Sequence, residues 1–134
     1  MNWVGFWSIY FLAMVKFMVS SLPGPGFQMA FHPTEENIFF VETQNGNIVK
    51  YDGEFTQFSQ GLEGNKNWDM PYFISPIEEH IMYTGTNRVY IRHQELNDEW
   101  TPISPDLTDL EDDTPYFQHN ISTLSQSSLN KDYL

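Results

Sequence analysis

Acidic and aromatic side chains occur together at residues 68–72, and their chemistry suits a carbohydrate site. Asp69 lies between Trp68 and Tyr72, so two rings that can stack on a sugar flank one carboxyl group. Glycoside hydrolysis requires a second carboxyl group about 5–10 Å from the first, and Glu42 is the candidate for it. Asp69 is therefore the candidate catalytic residue, and Trp68 and Tyr72 are candidate ligand-binding residues.

The same residues also have a structural interpretation. Trp68 and Tyr72 would then pack in the interior, as aromatic side chains commonly do, and Asp69 would cap a turn. Glu42 comes shortly before Asn45-Gly46 and would bond to that turn or be solvated. Arg88 is a further candidate ligand-binding residue, with solvation or stacking as the alternative.

No metal or cofactor site is predicted. The chain has no cysteine, which excludes thiolate ligands, disulfides and a cysteine nucleophile, and it has no Gly-x-Ser-x-Gly elbow. The acidic run lacks EF-hand spacing, so a solvated loop is favoured over a calcium site; it comprises Asp106, Asp109, Glu111, Asp112 and Asp113. The histidines are dispersed without metal spacing: His32, His80, His93 and His119.

The net charge of −12 arises from 18 acidic and 6 basic residues. Such a chain repels phosphate backbones and anionic membrane surfaces, so nucleic acid is not an expected partner. Residues 120–122 form an Asn-x-Ser glycosylation sequon, which matters only in a host that glycosylates.

An internal repeat determines the predicted architecture. The sequence PTEENIFF begins at residue 33 and is echoed by PIEEHIMY at residue 76, which is 43 positions later. A period of about 40–50 residues with short β-type segments is typical of a β-propeller blade of four antiparallel strands. The predicted strands are 26–31, 38–42, 47–51, 54–58, 72–75, 80–84, 88–92 and 99–103, with an Asn45-Gly46 hairpin turn.

The predicted fold is all-β: a propeller fragment of about two four-stranded antiparallel blades and the start of a third. Blade 1 spans residues 26–60, a linker 61–71 and blade 2 residues 72–104; an acidic loop follows at 105–117 and a partial blade 3 at 118–134. Tyr133 aligns with Ile81, inside an expected second strand. Propellers close with about four to eight blades, so the remaining blades are expected from a full-length chain or from other chains.

Residues 1–22 are strongly apolar, although Lys16 interrupts them. They resemble an export signal or membrane anchor without a basic n-region; an artefact in front of the domain and a buried strand or helix are the alternatives. The first interpretation predicts a secreted or cell-surface protein.

Three segments give a family resemblance. The sequences NWDMPYFISP (67–76), YTGTNRVY (83–90) and WTPISPDLT (100–108) resemble the BNR-repeat propellers, including sortilin-type (VPS10-like), sialidase-like and xyloglucanase-type proteins. The resemblance covers roughly residues 26–134. The family's Asp-box would fall at 93–100, where Trp100 matches, Glu95 replaces the aspartate and Asn97 replaces the glycine. This box is structural in the family, and nothing here matches the sialidase arginine triad.

The resemblance implies a noncatalytic portion of a secreted BNR/VPS10-like propeller that presents a protein- or glycan-binding surface. The alternative is a fragment of a propeller glycoside hydrolase of xyloglucanase or sialidase-like type. An intracellular WD40-type propeller is disfavoured, because Trp68-Asp69 lies in the linker and no Trp-Asp pair closes a strand.

Overall fold

The described part of the chain contains two four-stranded antiparallel sheets. The computed structural model describes residues 28–95, 98–108, 119–130 and 132–134. The first sheet consists of β1 (Gln28–Phe31), β2 (Phe39–Thr43), β3 (Asn47–Tyr51) and β4 (Phe55–Gln57), in that order. The second consists of β5 (Tyr72–Ile74), β6 (Ile81–Gly85), β7 (Val89–His93) and β8 (Thr101–Pro102), also in chain order.

The expectation of an all-β chain with two such sheets is confirmed, and the sheets are separate and do not close into a barrel. Residues 1–22, for which a signal, an anchor or an artefact was predicted, lie outside the described residues. So do residues 109–118, which include most of the predicted acidic loop.

The hairpin turn between β2 and β3 has the predicted conformation. Asn45 has φ 61° and Gly46 has φ 70°, so both residues are left-handed, as an Asn-Gly hairpin turn requires. Gly46 is restricted by the space around it as well as by its positive φ. A Cβ atom there would lie 2.8 Å from Sδ of Met70, so glycine also lets the following segment approach the turn.

Strands β6 and β7 each begin one residue later than predicted. Ile81 and Val89 are the first residues, whereas His80 and Arg88 were expected. The loop before β6 closes on Ile81, whose carbonyl accepts a hydrogen bond from the Ser75 amide at 2.8 Å. His80 therefore belongs to the loop.

One hydrophobic core joins the two sheets. Its members come from facing strands of both sheets and from the segment between them: Phe40, Ile48, Phe58, Leu62, Met70, Tyr72, Met82, Tyr90 and Trp100. The Phe58 ring lies near the centre, with its centroid 4.9 Å from that of Phe40 and 6.1 Å from that of Trp100. Because successive strand residues point to opposite faces, Phe40 and Glu42 face the second sheet, while Phe39 lies on the other face and stacks on Tyr51.

The second sheet is contacted in turn by the C-terminal segment, through Ile121 and Gln126. A Cβ atom on Gly85 would lie 2.9 Å from Cγ2 of Ile121, and the Ile121 amide donates to the Thr86 carbonyl at 2.6 Å. Ser75 Oγ and Gln126 Oε1 are 2.7 Å apart. The order of packing is therefore first sheet, second sheet, then this C-terminal segment.

The same loop conformation occurs three times: before β2, before β6 and near the C-terminus. In each copy the first residue's amide donates to the carbonyl of the seventh, and the seventh residue's amide donates to the carbonyl of the fourth. The first two copies are residues 32–38 and 75–81, and the third is seen at residues 127–130 and 132–133. The third copy puts Tyr133 at the position of Ile81, which is the alignment that the sequence predicts.

Candidate functional site

The predicted site residues 68–72 lie against the β2–β3 turn. The Asn45 amide donates to the Trp68 carbonyl at 3.3 Å, and Met70 packs against Gly46. This contact brings the segment that enters the second sheet to the end of β2. Glu42, one residue before the last residue of that strand, faces the same junction.

Glu42 is a buried carboxyl group with incomplete hydrogen bonding. It is 0% exposed. Its Oε1 accepts from the amides of Gly46 at 3.2 Å and Met70 at 3.5 Å, whereas Oε2 has no partner among the described residues. Burial raises the pKa of Glu42 from 4.5 to about 7; the two amides lower it, and the charge of Asp69 raises it further.

Asp69 and Trp68 lie at the surface of this junction. Trp68 is 56% exposed, and Asp69 is also exposed. The Asp69 amide donates to Oδ1 of Asn67 at 3.3 Å, which keeps the segment in a tight turn. Since the charge of Asp69 acts on Glu42, the structure brings both predicted carboxyl groups to one junction, but only Asp69 is open to solvent.

Tyr72 lies inside the core between the sheets. It is 7% exposed, and its hydroxyl donates to the Gln28 carbonyl at 2.6 Å, with the Phe40 carbonyl at 3.1 Å. Burial, and then the charge of Glu42, raise the pKa of Tyr72 well above its ordinary value. In this position the ring joins the two sheets and is almost fully buried, which agrees with the packing interpretation.

Arg88 lies in the β6–β7 turn of the second sheet and is exposed. Its charge contributes to lowering the pKa of Asp106, after the larger effects of hydrogen bonds from Thr108 and Asn87. Asn87 Nδ2 donates to Oδ2 of Asp106 at 2.5 Å. The acidic neighbour of Arg88 is thus Asp106, which lies in the loop that follows β8 and accepts hydrogen bonds from Asn87 and Thr108.

Arg92 was not predicted as a buried residue. It is 7% exposed, and its Nη1 donates to the Phe58 carbonyl at 2.8 Å and to Oε1 of Gln60 at 3.0 Å. Its Cζ lies 3.7 Å from the centroid of the Phe58 ring, and burial lowers the pKa of the guanidinium. Strand alternation relates Arg92 to Arg88, but it does not reveal that a neighbouring sheet covers one of them.

Three of the dispersed histidines meet at the opposite end of β2. The ring centroids of His32 and His80 are 5.9 Å apart, and those of His80 and His93 are 5.8 Å apart. Within the described ranges, no three or more His, Asp or Glu side chains are arranged to hold a metal ion. His80 and His93 come together because His80 immediately precedes β6, and His93, the last residue of β7, pairs with Ile81, the first residue of β6.

The predicted Asp-box region is described in part. Trp100 is 2% exposed and its Nε1 donates to the Phe58 carbonyl at 2.6 Å, so this ring packs between the sheets. Residues 96–97, which include Asn97, lie outside the described ranges.

The chain matches no family model, and it matches no curated protein and no solved structure at a significant level. In the part of the chain that the structure describes, no helix is both long and apolar enough to cross a membrane. A functional proposal therefore depends on the geometry of the residues themselves.

Proposed function

We propose that the chain is a noncatalytic part of a β-propeller of BNR-repeat type, and that it binds a glycan or protein ligand at Trp68 and Asp69. The two sheets would be successive blades, and residues 119–134 would begin a third. The proposal that the protein is secreted rests on residues 1–22 alone.

The repeated packing supports the blade interpretation. Both sheets have the strand order of a simple meander, and each packs one face onto the element that follows it in the chain. The three equivalent loops repeat the same backbone hydrogen bonds, and the first two precede the second strand of each sheet. Repeat architectures are stabilised by such neighbour-to-neighbour interfaces.

The observation that carries the binding proposal is the difference in exposure across the junction. The indole of Trp68 is open to solvent beside an exposed carboxylate, whereas Glu42 is sealed beneath them. Hydrolysis would require both carboxyl groups to flank a bound sugar. An exposed ring with one acid beside it suits stacking on a sugar and hydrogen bonding to its hydroxyl groups.

The variant Trp68→Ala tests this proposal. On a glycan array followed by titration calorimetry with each hit, we expect the variant to lose at least about tenfold in affinity, since an exposed aromatic anchor dominates such contacts. Leu107→Ala is the matched control, because Leu107 is also 56% exposed and lies elsewhere. Equal affinity of Trp68→Ala and the native protein would place the binding surface away from this junction.

A propeller glycoside hydrolase is the second candidate. It is favoured by the burial of the Glu42 carboxyl group beside the exposed Asp69. Burial raises the pKa of Glu42 to about 7, and a neighbouring acid and carboxylate of this kind can divide general-acid and base roles. Opening of the junction would have to expose Glu42 to the substrate.

For this candidate we expect the chain to hydrolyse a member of a β-glucan and sialoside panel, and Asp69→Asn to lower turnover by about 100-fold or more. Calorimetry on the same substrate separates lost chemistry from lost binding. Full turnover by the variant would remove Asp69 from the reaction and leave the binding proposal in place.

A further inference from the structure

The three equivalent loops differ in the side chain that accepts hydrogen bonds from the loop's own backbone amides. In the second loop, Ser75 Oγ accepts from the amides of Ile77 at 3.2 Å and Glu78 at 3.1 Å. In the third, Ser127 Oγ accepts from Leu129 at 3.2 Å and Asn130 at 3.3 Å.

In the first loop the acceptor is an imidazole nitrogen. His32 Nδ1 accepts from the amides of Thr34 at 3.3 Å and Glu35 at 3.0 Å. His32 occupies the position of Ser75 in the repeat and is 7% exposed. The closed loop therefore requires that Nδ1 carry no hydrogen, which fixes the neutral ring with its hydrogen on Nε2.

A serine hydroxyl keeps its acceptor lone pairs at every physiological pH, whereas a protonated imidazole carries hydrogen on both nitrogens and accepts nothing. Histidine is the side chain that changes its charge between about pH 5 and pH 8. The first loop thus has a protonation requirement that its two copies lack.

We propose that residues 32–38 form a pH-sensitive clasp between the two sheets, closed while His32 is neutral and released when it is protonated. Release of the loop takes up one proton, so acid favours the open form. The clasp reaches the second sheet through Thr34, whose Oγ1 donates to Oε2 of Glu79 at 3.0 Å. Opening would break this inter-sheet bond.

The charged and titratable groups around the clasp belong to both sheets. Glu35 lies in the loop itself, and His80 and Glu79 face it from the loop before β6. Behind His80 are His93, which stacks on it, and Glu95, whose Oε1 is 3.2 Å from His80 Nδ1. Protonation of His80 would add repulsion across its 5.9 Å contact with His32, and the two glutamates would oppose that repulsion.

The test compares equivalent amides within one molecule. Amide hydrogen exchange, corrected for the intrinsic pH dependence, is measured by NMR at pH 7.5 and pH 5.5. We expect protection of the Glu35 amide to fall by about tenfold or more at the lower pH. The amides of Glu78 and Asn130, which have serine acceptors, should keep their protection. An unchanged Glu35 amide would overturn the proposal.

The variant His32→Ser gives the first loop the acceptor of its copies. We expect the pH response of the Glu35 amide to disappear, with protection at pH 5.5 equal to that at pH 7.5. If the response persists in His32→Ser, or disappears in His80→Asn alone, it belongs to the neighbouring histidines and the assignment to His32 is wrong.

Imidazole ¹⁵N spectra of the native protein provide a test without a substitution. At pH 7.5 they should show Nδ1 of His32 as the unprotonated nitrogen, and the opposite tautomer would overturn the proposal. The clasp lies at the end of β2 remote from Trp68, so failure of the glycan-binding test would leave it unaffected.

Discussion

Trp100→Ala is expected to lower the free energy of unfolding by about 3–5 kcal/mol. The indole is almost fully buried, packs edge-on to the Phe58 ring and donates to the Phe58 carbonyl. Its removal leaves a cavity between the sheets and removes one of two donors to that carbonyl, the other being Arg92. Urea unfolding followed by far-UV circular dichroism measures the loss.

Two variants separate the contributions to this effect. Trp100→Phe keeps most of the ring but not the N–H, so its loss should be smaller, because Arg92 still serves the carbonyl. Trp68→Ala removes the same side chain from an exposed site and should change stability by no more than about 0.5 kcal/mol. Comparable losses in Trp68→Ala and Trp100→Ala would contradict the described packing.

Glu42→Gln is expected to stabilise the protein above pH 7 by about 3 kcal/mol. In the folded protein the pKa of Glu42 is about 7, against an ordinary value of 4.5, and this difference corresponds to about 3 kcal/mol. Since the folded state favours the protonated acid, its contribution is complete below pH 4.5 and is lost as the pH rises to 7 and above. Glutamine stays neutral and can still accept from the two amides.

The measurement is the free energy of unfolding at intervals from pH 4 to pH 8.5, for the native protein and for Glu42→Gln. The difference between the two should be small near pH 4 and grow through the interval from 4.5 to 7. Asp69→Asn is the control, because Asp69 is exposed and its charge makes only the smallest of the contributions to Glu42. A difference that does not vary with pH would show that Glu42 titrates normally.

The sheets were predictable because the sequence carries local signals for them. Asn45-Gly46 can adopt positive φ at both positions, and the echo between residues 33–40 and 76–83 implies that one supersecondary unit occurs twice. The ends of the strands were harder to predict from the sequence. Whether Ile81 or His80 starts β6 depends on a hydrogen bond across the loop from Ser75, which no local pattern encodes.

The site was predictable in its residue types but not in its burial. The proximity of Glu42 and Asp69 follows from a contact between the β2–β3 turn and the linker, and the burial of Tyr72 follows from the packing of one sheet on another. Both are tertiary effects that override what a residue's own neighbours suggest. The acceptor role of His32 could have been found by aligning it with Ser75 in the repeat.

Gly85 occupies the place in the second sheet that Glu42 occupies in the first, 43 positions earlier. There the space that a carboxyl group would fill is taken by the side chain of Ile121, which comes within 2.9 Å of where a Cβ atom would be. At equivalent positions, the first sheet therefore has a buried carboxyl group and the second has an apolar contact. The identities of residues 85 and 121 are consequently interdependent. A larger side chain at position 85 fits only if the side chain at position 121 becomes smaller.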